Sequence, residues 1–239
     1  MTAFDRQQSR QIDLLATEQF GISGLILMEN AGRACSDVLE AQNFDCVILL
    51  CGKGHNAGDG FVIARQLITR EIPVTIILLV EPSALTGDAK VNFDILTKLL
   101  SANALEKENS SSILFADTTN ISGMLDRLQV SERTAIVDCL TGTGGHGTPR
   151  TPFDLGIIWA NKQLGSRIAI DIPSGLDCNT GDASTPTFQA DLTLTMVATK
   201  IGFTKEMCAC VPKPPHGCAI FVRDVVTLRL DAPGRRRIC

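Results

Sequence analysis

The chain has 239 residues, 44% hydrophobic and 20% charged, with 22 Lys and Arg against 26 Asp and Glu and a net charge of −4. That length suits one sizeable core, and the acidic balance argues against general nucleic-acid binding. No apolar run approaches the ~18 residues of a membrane span, and the polar opening around Asp5, Arg6, Gln7, Gln8 and Arg10 is no secretory signal, so the expected compartment is the cytoplasm.

Helical patterning runs over 9–20 and again over 24–40, where Leu25, Ile26, Leu27 and Met28 make either a core face or a homodimer face. Strands are predicted at 46–51, 74–80, 112–116, 134–138, 167–171, 191–197 and 218–223. Helices are predicted between them at 60–70, 86–101, 120–129 and 153–164. Alternation of this kind predicts an α/β fold with a mostly parallel sheet and helices on both faces. Leu192 to Thr195 alternates apolar and hydroxyl residues, which predicts a half-exposed strand. No repeat or linker divides the chain, so one domain is expected over 4–229, followed by a tail, 230–239, with Arg235, Arg236 and Arg237 in solvent.

Three strand ends are unusually polar. Cys46–Cys51 breaks into Gly52, Lys53, Gly54, His55, Asn56, Ala57, Gly58, Asp59 and Gly60, predicted as a loop before a helix from Phe61 to Thr69. Such a loop brings backbone N–H groups to an anion, and phosphate is the natural guest. The spacing of Gly52, Gly54 and Ala57 also meets a loose dinucleotide fingerprint, or simply a tight turn. Thr134–Asp138 leads into a Gly-rich run at 142–148. Arg167–Ile170 ends in Asp171-Ile172-Pro173-Ser174-Gly175-Leu176-Asp177, where Pro and Gly force a sharp exit and leave Asp171 at the strand's carboxyl end. In open α/β sheets ligands bind there. Asn56, Asp138 and Ser174 offer one carboxylate and neutral oxygens, a set that either suits a weakly held monovalent cation or caps the loops by mutual hydrogen bonds.

Together these motifs resemble the NAD(P)H-hydrate epimerase family, of the YjeF N-terminal domain type. The resemblance is carried by Leu27-Met28-Glu29-Asn30-Ala31-Gly32, by Gly52 to Gly60, by Val137-Asp138 with Gly142-Thr143-Gly144, by Asp171 to Asp177 with Thr180-Gly181, and by Ala190-Asp191-Leu192-Thr193-Leu194-Thr195 with Lys200 and Gly202. It implies a Rossmann-like three-layer αβα sandwich preceded by an N-terminal helical segment. It implies that His55, Asn56, Ala57, Gly58 and Asp59 contact substrate. It implies the same of Gly142, Thr143, Gly144, Gly145, His146, Gly147 and Thr148. Asn56, Asp138 and Ser174 would bind one potassium ion, and Asp171 would be the catalytic carboxylate, itself against the substrate. The implied substrate is hydrated NADH or NADPH, whose R and S epimers are interconverted in repair of the damaged nucleotide. A separate dehydratase would then act on the S epimer. Chemically, a carboxylic acid protonates the departing ring hydroxyl, and the carboxylate activates water for its return.

The chain departs from the family pattern at His55, Ala57, Thr141 and Thr199. The methyl of Ala57 restricts positive φ, which is expected to tilt the phosphate loop. Two other readings compete. A Rossmann dehydrogenase would use an acid such as Glu81 on ribose, but it leaves Asp138, Asp171 and Ser174 without a role. A non-catalytic nucleotide-binding or interaction module would not need those acids. Of the nine cysteines, Cys46, Cys51 and Cys139 are expected to fill the core, while Cys208, Cys210, His216 and Cys218 match no familiar zinc spacing.

Overall fold

The computed structural model describes residues 3–106, 111–204, 219–223, 228–230 and 236–238. Two helices open the chain, α1 (Arg6–Phe20) and α2 (Gly24–Ala41). Asp5 and Gln8 close a capping box at the head of α1, and Gly21 ends it in the left-handed conformation at φ 67°. Strand and helix then alternate: β1 (Cys46–Cys51), α3 (His55–Ile68), β2 (Val74–Leu78), α4 (Gly87–Glu106), β3 (Ser112–Phe115), α5 (Ile121–Leu125), β4 (Thr134–Cys139), α6 (Phe153–Ala160), β5 (Ser166–Ile170) and β6 (Leu192–Met196). The chain continues through α7 (Ile201–Thr204) and β7 (Ala219–Arg223), and β8 (Leu228–Leu230) pairs antiparallel with β9 (Arg236–Ile238).

The main sheet has the order β3-β2-β1-β4-β5-β6-β7, parallel throughout. Its strands are near-continuous apolar runs because both faces are covered. Val47, Leu49, Ile76, Leu78, Val137 and Ile170 enter the core shared with α2, α3 and α4. Their neighbours Ile48, Leu50, Ile77, Ile136 and Ala169 enter the core shared with α5 and α6. This period of two is what makes three layers from one sheet. Strand order reverses between β1 and β4, and the crevice at their carboxyl ends is the switch point where such sheets take ligands.

The structure corrects three expectations. The glycine-rich segment is not a loop up to Phe61: Gly54 is the N-cap, and α3 begins at His55. Glycines inside a helix cost about 1 kcal/mol each, but here they permit close packing. A Cβ at Gly58 would meet Met28 Sδ at 2.5 Å, and one at Gly60 would meet Cys139 Sγ at 2.9 Å. Ala57 therefore needs no positive φ, and its methyl is buried in the core rather than tilting a loop. The second correction is β6, which is not half exposed. It lies between β5 and β7, and Thr193 and Thr195 are both buried. Third, α5 stops at Leu125 and α6 at Ala160, both short of their expected ends. Cys51 and Cys139 are core residues as expected, and Cys46 is partly buried. The group Cys208, Cys210, His216 and Cys218 lies outside the described residues.

Candidate active site

Asp138, the fifth residue of β4, is fully buried. Its Oδ1 accepts hydrogen bonds from Leu140 N (3.0 Å) and Ser174 Oγ (2.8 Å), and its Oδ2 accepts one from Ser174 N (2.7 Å). Burial pushes its pKa up to about 6, against the pull of those hydrogen bonds. Ser174 Oγ in turn accepts from Thr141 N at 3.2 Å and Thr141 Oγ1 at 2.9 Å. Mutual capping therefore accounts for Asp138 and Ser174. It does not account for Asn56, whose buried amide has neither Nδ2 nor Oδ1 hydrogen-bonded. Asn56 stands against Gly142, where an added Cβ would lie 3.0 Å from its Cγ. Gly142 itself has φ 57°, so a side chain there is excluded twice. The turn at 140–142 thus touches all three: Leu140 N bonds Asp138, Thr141 bonds Ser174, and Gly142 stands against Asn56.

Asp171 follows β5 directly and has φ 67°, a left-handed conformation that non-glycine residues seldom adopt. Such strain is held only where surrounding contacts over-determine it. Here Asp171 N donates to Leu194 O at 2.8 Å, and the carboxylate is held at both oxygens. Lys200 Nζ lies 3.0 Å from Oδ1, and Thr143 N donates to Oδ2 at 2.7 Å, joined by Thr143 Oγ1. Lys200 is buried, and its ammonium also donates to Met196 O (2.9 Å) and Ala198 O (3.3 Å).

Two more carboxylates face this region. Asp59, in α3, has its pKa raised well above the usual range, by burial first and then by the charges of Asp171 and Asp13. Asp13, on the rim side of α1, is exposed by area yet crowded by the cleft. Its pKa is raised by desolvation first and then by Asp171, while Lys200 and His55 pull it down.

The residues expected to touch substrate divide into two groups. Ala57 and Gly58 are packed inward, so they offer a ligand only backbone groups. No side chain caps α3, so its first N–H groups and the positive end of its dipole stay available to an anion. His55 is exposed beside them. Across the crevice, Gly142–Gly144 forms a short 3-10 turn, and Gly144, His146, Gly147 and Thr148 are exposed. A cavity of about 330 Å³ lies between this loop and the 175–184 segment, lined by Gly145, His146, Leu176, Asp177 and Ser184 among others. Lys200 was visible in sequence as a lysine after a strand end. Asp13 and Arg6 carry no such signal, because only the packing of α1 brings them here.

Fold and site define a Rossmann-like α/β protein with an open helix N-terminus, a buried carboxylate at Asp138 and a partly buried one at Asp171. A family model described as YjeF-related protein N-terminus matches residues 24–202, and the chain belongs to that family. It is 36% identical over 200 residues to a Pirellula staleyi protein named NAD(P)H-hydrate epimerase, covering 82% of each chain. With a Rhodopirellula baltica protein of the same name it shares 38% identity over 228 residues, 95% of this chain and 83% of the relative. It is also 31% identical to the bifunctional NAD(P)H-hydrate repair enzyme Nnr of Salinibacter ruber, of whose length it spans 35%. The crystal structure of yeast ynu0 shares the fold, with a TM-score of 0.71 over 93% of this chain and 88% of that one, at 19% identity.

Proposed function

We propose that this chain is an NAD(P)H-hydrate epimerase that interconverts the R and S forms of hydrated NADH and NADPH, with Asp171 as its acid and base. The observation that carries the reading is Asp171, strained in its backbone and with its carboxylate fixed at both oxygens beyond the end of β5. The names of the relatives support the substrate.

The chemistry follows from that geometry. The protonated Asp171 carboxyl gives its proton to the ring hydroxyl, the C–O bond breaks, and water leaves with the bonding pair. The ring nitrogen's lone pair stabilises the planar cation, beside the Asp171 carboxylate. Water then attacks the other face, and Asp171 takes up its proton. Lys200 and Thr143 fix the carboxylate for both steps. The open head of α3, from His55 to Asp59, would hold the pyrophosphate, and the 142–148 loop would orient the ring end.

The residues fit a potassium ion. Asn56 has a buried oxygen with no partner, and a single carboxylate at Asp138 with the Ser174 hydroxyl makes a low-charge hard-oxygen set. Bound there, the ion would supply positive charge beside the substrate phosphates. The S epimer needs a dehydration step elsewhere, and the longer bifunctional relatives support a dehydratase as the partner enzyme. No helix among the described residues is long and apolar enough to cross a membrane. Leu25 and Ile26 are exposed on α2, a surface that a homodimer would cover.

The test mixes the protein, in potassium buffer, with the isolated R hydrate of NADPH and follows the epimers by NMR. Appearance of the S form above the spontaneous rate supports the reading. Binding without acceleration would instead make the chain a nucleotide-binding module.

A further inference from the structure

We propose that the N-terminal segment 4–6 is a positioning element for Asp171, with Arg6 as its positioning residue. This rests on the epimerase reading and deepens it. The two oxygens of Asp171 are held by separate parts of the chain: Lys200 follows β6, and Thr143 follows β4. One short segment ties both parts down. Phe4 N donates to Thr199 O at 2.8 Å, and Ile201 N donates to Phe4 O at 2.9 Å, so Phe4 pairs as a parallel bridge with Lys200. Just beyond Phe4, Arg6 reaches the other part. Its Nε donates to Thr143 O at 2.7 Å, and its Nη2 donates to Gly145 O at 2.8 Å and lies 3.1 Å from Asp177 Oδ2.

The same residue, Thr143, gives its N–H to Asp171 and its carbonyl to Arg6. The peptide groups on both sides of its Cα are therefore fixed together. The loop needs such an external hold, since Gly142, Gly144 and Gly145 leave it few side-chain restraints of its own. The fork of a guanidinium meets two carbonyls and a carboxylate at once, which a lysine ammonium cannot match in geometry. The segment is itself rigid: Asp5 and Gln8 cap α1 reciprocally, and Arg6 N donates to Asn179 Oδ1 at 2.9 Å. Phe4, Asp5, Arg6 and Gln8 lie upstream of the 24–202 span matched by the family model.

The experiment compares the full-length wild type with R6Q, R6K, T143V and R6Q/T143V, in two arms. Hydrogen exchange without ligand should show the 142–145 amides of R6Q exchanging about 10-fold faster, since their protection depends on local opening. Epimerisation kinetics should show kcat down about 10-fold in R6Q with KM within about 3-fold, as misplacement of a reacting group predicts. R6K should recover part of the loss. T143V should lower kcat too, and the double variant should lose less than the product of the two, because both act through one carboxylate. Wild-type exchange at 142–145 in R6Q, an unchanged kcat, or independent effects of Arg6 and Thr143 would overturn the proposal. An inactive wild type would sink the epimerase reading, and the exchange arm alone would then uphold or overturn the clamp.

Discussion

Lys200 Nζ and Asp171 Oδ1 stand 3.0 Å apart, and Lys200 is the more deeply buried of the two. The pair joins a residue after β5 to one after β6, so the carboxylate is oriented from the neighbouring strand's loop. Removing Lys200 would strand a largely buried charge. Lys200→Met is therefore expected to destabilise the fold by about 3–5 kcal/mol, as broken buried pairs do. It is also expected to lower kcat, since the carboxylate loses the group that fixes its Oδ1. Chemical denaturation and steady-state kinetics check the two effects.

Asp171→Asn keeps the shape of the carboxylate but cannot exchange a proton. Turnover should fall by about 10²–10⁴, the usual weight of a general acid or base. Nucleotide binding, measured calorimetrically, should stay within a few-fold of wild type. An Asp171→Asn enzyme that turns over normally would remove Asp171 from the reaction.

Asp138→Asn should weaken substrate binding and abolish any stimulation by potassium together. Activity of the wild type is compared in potassium and in tetramethylammonium buffers of equal ionic strength. Equal rates in the two would remove the ion from the mechanism.

Asp59 has a folded-state pKa raised by burial and by its acidic neighbours. A raised carboxyl pKa means that its contribution to stability is full below the unfolded value and is lost as pH rises through the folded one. Asp59→Asn should thus change Tm little near pH 3.5 and raise it near pH 8. The rise expected is at least about 2–4 °C, the shift that ~1 kcal/mol brings in a domain of this size. A wild type that gains stability relative to Asp59→Asn on going to pH 8 would contradict the burial of that charge.

Gly32 sits where α2 crosses α3, and a Cβ there would lie 2.5 Å from Val62 Cβ and 3.2 Å from Asp59 O. Val62 is stiff and buried, so the neighbour cannot yield cheaply. Gly32→Ala should destabilise by about 1–3 kcal/mol, and adding Val62→Ala should recover part of it. Urea unfolding of the three variants decides this. Additive losses would place the strain elsewhere.

Much of the fold was legible because its signals are local. β1 runs over Cys46–Cys51, the span expected from its apolar run, and β4 and β5 match theirs to within a residue. Strand ends announced themselves where an apolar run broke into Asp, Gly or Pro. The helix start at His55 was missed because Gly58 and Gly60 read as breakers. Their fitness for a helix depends on Met28 and Cys139, which are distant in sequence. The threonines of β6 were misjudged for a related reason: alternation shows what a strand could expose, not whether a neighbour covers it.

By itself, then, the sequence determined the parallel α/β class, the three polar strand ends and the acid at position 171, since each depends on the order of residues within one segment. Only the tertiary structure decided that Asp171 is gripped by Lys200 and Thr143, that Asn56 is left without a partner, and that Arg6 reaches across to Thr143, Gly145 and Asp177. Those contacts join residues far apart in the chain. They exist because parallel crossovers bring the strand ends to one edge, where α1 packs across them.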